Sequence, residues 1–320
     1  MLVTSVTVQV PAKINLQLAV GPLRPDGYHG LVTVFHAVSL FDDVTVAPAE
    51  PDTVTVGGEG AGMVPEDADN LALRAVRALR AALADRAGAD GAGGAGGTVA
   101  DAPRGGGVAV TIAKRIPVAG GMAGGSADAA AALVACNELW RTGLSQGDLC
   151  EVAAAVGSDV AFAVLGGTAV GRGRGELLTP APAAPATFHW VLALADGHLS
   201  TPRVFRALDR QRQDQQVADP ALSAELMAAL SAGDPLRLGA ALSNDLQEPA
   251  LTLFPALRKT LDAGIEAGAL GALVSGSGPT CFFLAASADE ATTLANALSG
   301  AGICRTVATA IGPAAGARVI

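Results

Sequence analysis

Apolar and polar residues alternate at the start of the chain. Val6, Val8 and Val10 fall on one face of an extended segment, and beyond Pro11 so do Ile14, Leu16 and Leu18. This period of two predicts a strand whose other face carries Lys13, Asn15 and Gln17. Residues 24–29, Arg-Pro-Asp-Gly-Tyr-His, read as a turn. A second strand follows over Leu31–Leu40, and Val44, Val46, Val54 and Val56 mark a third and a fourth. From Asn70 the spacing becomes roughly helical through Leu71, Val76, Leu79 and Leu83. Residues 84–107 are of low complexity, rich in Gly and Ala, and read as a flexible insertion before a strand at Val108–Ala113.

A glycine-rich stretch at Ile116–Ala130 then runs into a helix that reaches Trp140. A second helix, about Gln146–Val156, ends at Gly157, which suits the residue after a helix. Two extended stretches with a glycine-rich turn follow, up to Leu178. Pro180-Ala-Pro-Ala-Ala-Pro185 is the natural domain boundary, because proline stops regular structure and stiffens a linker. Beyond it the pattern predicts a strand at 187–195 and helices near 201–210, 219–231, 234–243 and 252–267. A hairpin-like pair at 270–285, a helix at 288–300 and a strand at 304–311 complete the chain. The expectation is an α+β protein with domains at 1–180 and 187–320.

A length of 320 residues suits two domains, and a chain that is 50% apolar and 16% charged has ample material for a core. The net charge of −9 argues against nucleic acid or an anionic membrane as partner, while leaving room for a local basic site. Mean hydropathy is +0.41, largely from alanine, and no long run of large apolar residues suggests a membrane-spanning helix. The N-terminus lacks a signal-peptide pattern. Cys136, Cys150, Cys281 and Cys304 are scattered, which disfavours a disulfide framework or a zinc site. The cytoplasm is the expected compartment.

The strongest chemical signal is Pro117-Val-Ala-Gly-Gly-Met-Ala-Gly-Gly-Ser-Ala127, which links a strand to a helix N-terminus. Unpaired amides and a partial positive charge at such an end favour a phosphate, and glycines let it approach. Ser126 can cap the helix or offer its hydroxyl to a phosphate or a metal ion. The motif is neither a Walker A loop nor Gly-x-Gly-x-x-Gly, so a dinucleotide oxidoreductase is disfavoured. Lys13, one of only three lysines with Lys114 and Lys259, could neutralise phosphate. Asp159 follows Gly157-Ser158 and could be a carboxylate at a site's rim. Tyr28, the single tyrosine, adjoins His29, a pair suited to stacking on a nucleobase and bonding its edge. Val274-Ser-Gly-Ser-Gly-Pro279 forms a second small-residue loop. Taken singly, each has an ordinary alternative: a packing turn, a snorkelling lysine, a capping aspartate, a hairpin.

Taken in order, Pro11-Ala-Lys-Ile-Asn-Leu16, Arg24–His29, Ile116–Ser126, Gly157–Asp159 and Val274–Gly278 resemble the galactokinase, homoserine kinase, mevalonate kinase and phosphomevalonate kinase (GHMP) superfamily. The opening Pro-Ala-Lys-Ile-Asn and the Asp-Gly-Tyr-His turn narrow this to the branch that phosphorylates 4-diphosphocytidyl-2-C-methyl-D-erythritol. The resemblance implies an N-terminal domain like ribosomal protein S5 domain 2 and a ferredoxin-like C-terminal domain, with the active site between them. It implies ATP and Mg²⁺, with Asn70 and Pro117, Val118, Ala119, Gly120, Gly121, Met122, Ala123, Gly124, Gly125, Ser126 and Ala127 around the nucleotide. Asp159 matches the catalytic aspartate and Lys13 its partner. Asn15, Tyr28, His29, Phe35, Thr201, Phe205, Ser275 and Gly276 match positions around the acceptor, with Phe205 facing Tyr28 across a cytosine. The chain departs from the family pattern at Ala119 and Ala123, where glycine is frequent, and at Ala161, where proline is. A small-molecule substrate and a monomer or weak homodimer are expected. Competing readings are a homoserine or mevalonate type of GHMP kinase and a non-catalytic nucleotide-binding descendant.

Overall fold

A computed structural model describes residues 4–90 and 106–320. Its strands, in chain order, are β1 (Val6–Leu23), β2 (His29–Ala49), β3 (Thr53–Gly58), β4 (Gly107–Lys114), β5 (Thr168–Gly173), β6 (Leu177–Pro180), β7 (Phe188–Leu194), β8 (Ser243–Asn244), β9 (Gly271–Val274), β10 (Cys281–Ala285), β11 (Thr306–Gly312) and β12 (Arg318–Val319). The helices are α1 (Leu71–Asp90), α2 (Gly124–Leu139), α3 (Gln146–Val156), α4 (Ser158–Leu165), α5 (Thr201–Arg212), α6 (Ala224–Ala232), α7 (Pro235–Ala241), α8 (Gln247–Leu253), α9 (Ala256–Glu266) and α10 (Ala288–Gly300). Among the described residues no helix is long and apolar enough to cross a membrane.

The first sheet runs β12-β1-β2-β4-β3, with β5 and β6 continuing from β2 and β8 pairing β1. β1 passes through Pro11 without ending. The pairing with β2 shifts register between Pro11 and Ala12, an irregularity of the kind that accommodates a residue without an N–H. Helices α1 to α4 cover this sheet. The alanine-rich α2 buries Ala127, Ala129, Ala130, Ala131, Ala132, Leu133, Ala135 and Cys136 with little side-chain bulk, and so lies close to the strands.

The second sheet has the order β11-β7-β10-β9. By chain position that is fourth, first, third, second, with helices following the first and third strands: the split β-α-β arrangement of ferredoxin-like folds. The period of two sorts its residues cleanly. Trp190, Leu192, Phe282 and Leu284 join the main core, while Val191, Ala193, Phe283 and Ala285 pack with α5, α8, α9 and α10 in a second core. We propose 1–180 and 187–320 as the two domains, with β8 and β12 lent by the second to the first sheet.

Five sequence expectations change. The second and third expected strands are one, β2, because pairing with β1 on one edge and with β4 and β5 on the other holds His29–Ala49 extended throughout. Ser158–Leu165 is helix, not strand: Val160, Ala161, Phe162, Ala163 and Val164 are all buried, so the segment has no polar face to reveal its period. Helix α1 continues through residues 84–90, the first part of the expected insertion, while 91–105 lie outside the described residues. Helix α6 begins only at Ala224, where Ser223 caps it by accepting the Leu226 N–H. The helix expected at 252–267 is two, broken at Phe254–Pro255.

Candidate active site

Lys13 and Asp159 meet at the head of a cavity of about 560 Å³. Lys13 reaches it from the middle of β1, and its neighbours on that strand face, Asn15 and Gln17, are buried as well. The face read as polar is thus interior and supplies the site. Lys13 Nζ donates to Asn15 Oδ1 at 2.8 Å and to the Gly121 carbonyl at 3.1 Å, and lies 3.9 Å from Asp159 Oδ2. Asn15 Nδ2 donates to Thr33 Oγ1 at 2.8 Å, and Thr33 donates in turn to the Gln17 carbonyl at 2.7 Å. Asn15 therefore keeps its carbonyl oxygen aimed at the lysine. Burial pushes the Lys13 pKa down, and the nearby Asp159 charge opposes that shift. Asp159 stands in the first turn of α4 with its side chain 31% exposed.

The glycine-rich stretch forms the facing wall. Gly120, Gly121, Ala123, Gly124, Gly125 and Ser126 line the cavity with Ala119. The first hydrogen bond of α2 runs from the Ala127 N–H to the Ala123 carbonyl, so the N–H groups of residues 124–126 have no partner inside the helix. No side chain caps this end. Ser126 is therefore not the N-cap; it sits within the first turn on the cavity wall. This end suits an anion. Gly276, Ser277 and Gly278 from the second domain complete the wall, whereas the Ser275 hydroxyl is buried and donates to the Gly121 carbonyl at 2.9 Å.

The other expected nucleotide residues divide. Asn70, Val118 and Ala119 line a neighbouring cavity of about 170 Å³ with Leu71, Lys114 and Asp128. Met122 and Ala127 are core residues and, like Pro117, form no part of either cavity wall. Beneath the loop, Lys114 Nζ donates to Asp42 Oδ2 at 2.6 Å and to Asp128 Oδ2 at 2.7 Å, all three side chains buried. Asp42 Oδ1 accepts the N–H groups of Arg115 and Ile116 at 2.5 and 2.8 Å. One buried cation thus ties the strand before the loop to the helix after it. Burial works against the Lys114 cation, but Asp128 and Asp42 prevail and raise its pKa. Burial, aided by Asp42, pushes Asp128 up to about 7.

The expected acceptor residues divide: Tyr28, His29, Thr201 and Phe205 line a second cavity of about 780 Å³, while Asn15, Phe35 and Gly276 line the inner one and Ser275 lines neither. The His29 ring stacks on Phe205, with centroids 5.4 Å apart. His29 Nδ1 bonds the Gly21 carbonyl at 2.8 Å and Nε2 faces Asp209 at 3.1 Å. Phe205 and Tyr28 share the cavity, but the ring in contact with Phe205 is His29; Tyr28 is exposed under the Arg174 guanidinium. Phe35 lies in the inner cavity, 5.7 Å from Lys13 Nζ.

Residues 70–167 match the GHMP kinases N terminal domain and residues 226–304 the GHMP kinases C terminal domain. The chain is 56% identical over 325 aligned positions to a 4-diphosphocytidyl-2-C-methyl-D-erythritol kinase of Thermobifida fusca, covering 99% of both proteins. A relative of the same description from Nocardia farcinica is 54% identical, over 98% of this chain and 96% of the relative. The chain belongs to the 4-diphosphocytidyl-2-C-methyl-D-erythritol kinase family of the GHMP kinases. A crystal structure described as 4-(cytidine 5'-diphospho)-2C-methyl-D-erythritol kinase superposes with a TM-score of 0.73 at 31% identity, covering 96% of this chain and 100% of that one. A homoserine kinase from Cytophaga hutchinsonii superposes with a TM-score of 0.72 at 20% identity, covering 100% and 98%, a likeness of fold alone.

Within this GHMP kinase site, the sequence reading missed Thr33, Arg174 and the Lys114–Asp42–Asp128 cluster. Thr33 carries no signal of its own. Arg174 stands in Gly171-Arg-Gly-Arg-Gly175, a turn of the kind that presents a charge. Lys114 was detectable as a rare lysine at the end of a strand just before the loop.

Proposed function

We propose that the chain transfers the γ-phosphoryl group of ATP to the 2-hydroxyl of 4-diphosphocytidyl-2-C-methyl-D-erythritol, in the non-mevalonate route to isoprenoid precursors. The observation that carries the reading is that Lys13 and Asp159 share one cavity with the open end of α2. The acceptor hydroxyl gives its proton to Asp159 as its oxygen bonds the γ-phosphorus. The bond from that phosphorus to the β,γ-bridging oxygen breaks, and ADP departs with the electron pair. Lys13 stands beside the Asp159 carboxylate and offsets charge on the transferring group. The amides of residues 124–126 and the positive end of α2 face the phosphates.

Ser126 offers a hydroxyl on the same wall for Mg²⁺, whose chemistry would be to neutralise phosphate charge. Tyr28 and the stacked rings of His29 and Phe205 supply flat surfaces for cytosine, a base that homoserine and mevalonate lack. We read the chain as a monomer or weak homodimer and place it in the cytoplasm.

A coupled ADP-release assay with Mg-ATP tests the reading, comparing the cytidyl acceptor with homoserine, mevalonate and no acceptor. Turnover with the cytidyl acceptor alone is expected, and Asp159→Ala should abolish it while ATP still binds. Turnover with another alcohol, or wild-type activity in Asp159→Ala, would sink it.

A further inference from the structure

The inner and outer cavities share Leu31, Ser158, Arg174, Thr201 and Phe205, and Arg174 is the charged member of that set. It stands on the turn between β5 and β6. Gly173 and Gly175, at φ 75° and 105°, flank it, and its own N–H donates to Glu176 Oε2 at 2.6 Å. The turn is therefore held by its backbone, which leaves the side chain free to serve something else. The guanidinium lies 5.3 Å over the Tyr28 ring. Among the described residues it makes no ion pair or hydrogen bond, although Asp26 feels its charge. Arg24, Arg80, Arg86, Arg115, Arg212, Arg258 and Arg305 each contact a carboxylate; among the described residues Arg74 and Arg206 do not, but they line the outer cavity alone, whereas Arg174 lines both. In a chain of net charge −9, an arginine without a carboxylate partner at the joint of two cavities is placed for an anion from outside.

We propose that Arg174 binds the diphosphate of the acceptor and so determines specificity for a nucleoside-diphosphate-linked alcohol. The inference rests on the function proposed above. With the base among Tyr28, His29 and Phe205 and the reacting hydroxyl beside Asp159, the group joining them must pass the place where the cavities meet. A planar guanidinium fork fits paired phosphate oxygens, and an arginine keeps its charge at every working pH. Lys13 cannot do this work, because its ammonium is committed to Asn15, Gly121 and Asp159. An alcohol without the diphosphate would leave Arg174 resting on Tyr28 and gain nothing from it.

The test is steady-state kinetics on the full chain, wild type against Arg174→Gln and Arg174→Lys, with cytidine diphosphate and cytidine as competing ligands. In Arg174→Gln the KM for the acceptor should rise about tenfold to a hundredfold, the range for a lost hydrogen bond to a charged group. Values of kcat and of KM for ATP should hold within a few-fold. Inhibition by cytidine diphosphate should weaken by the same factor while inhibition by cytidine stays put, and Arg174→Lys should recover part of the loss. An unchanged acceptor KM, a loss confined to kcat, or equal weakening of both inhibitors would overturn the proposal. Failure of the underlying function is seen separately, as a wild type that does not turn over the cytidyl acceptor. Calorimetry with cytidine diphosphate then decides for Arg174 alone: binding that Arg174→Gln weakens retains the diphosphate site, and binding that it leaves unchanged, or none, removes it.

Discussion

A Cβ on Gly121 would stand 2.1 Å from the carbonyl oxygen of Ser275. The glycine is what lets the glycine-rich loop dock against the small-residue loop of the second domain. Its own carbonyl accepts from both Ser275 Oγ and Lys13 Nζ, so the two loops and the lysine converge on one backbone group. Gly121 also has φ 76°, a conformation that costs other residues about 1–2 kcal/mol. Gly121→Ala should therefore lower the melting temperature and raise the KM for ATP at least tenfold. A variant with wild-type KM and stability would show that the loops do not depend on this approach.

Ala119 and Ala123 give the opposite expectation. Both have positive φ, 53° and 59°. Each alanine pays the left-handed penalty, and glycine would remove it at a smaller cost in unfolded-chain entropy. Ala119→Gly and Ala123→Gly should each stabilise the fold by about 0.5–1 kcal/mol in denaturant titrations. A comparable loss of stability would mean that the methyl groups contribute packing that outweighs the strain.

Burial of Lys13 pushes its pKa below the ordinary lysine value, with Asp159 limiting the fall. If the charged lysine is needed for phosphoryl transfer, kcat should decline on the alkaline side below about pH 10.4, the ordinary value. Lys13→Met should reduce kcat about 10²-fold or more, with ATP binding largely kept. A rate that stays flat to pH 10 would separate the charge of Lys13 from the chemistry.

Two buried titrations should shape stability in opposite senses. Asp128 keeps its proton in the folded state up to about pH 7, whereas an unfolded aspartate releases it near pH 4. Between these values the folded state binds more protons, so this contribution falls as the pH rises. His36 is buried beside Phe188 and Trp190, and burial lowers its pKa to about 3. There the unfolded state binds more protons up to about pH 6.5, so this contribution grows as the pH rises. Asp128→Asn removes the first effect alone. Its melting temperature relative to wild type should climb from pH 4 to pH 8; a constant difference would mean that Asp128 does not titrate in that window.

Much of the fold is legible in local patterns. The alternation in β1 marks Val6, Val8, Val10, Ile14, Leu16 and Leu18 as its apolar buried face, and the strand–loop–helix order places the glycine-rich loop at a helix N-terminus. At two places the pattern fails because of burial on all sides. Ser158–Leu165 looks like a buried strand because neither a strand nor a helix exposes a polar face there. The Lys13, Asn15 and Gln17 face looks like a solvent face, yet it is closed over by the rest of the molecule. Helix α1 outlasts its apolar stripe because Ala and Arg sustain a helix without one.

By itself the sequence determined the periodicities, the glycines that free a backbone for phosphate, and the ordered motifs of a GHMP kinase, because these are properties of neighbouring residues. Tertiary structure alone decided which distant groups meet. It brought Asp159 to 3.9 Å from Lys13, stacked His29 on Phe205, and tied both ends of the glycine-rich loop to Lys114. Those contacts, and the pKa shifts that follow from burial, arise from packing between segments far apart in the chain, which no local period encodes.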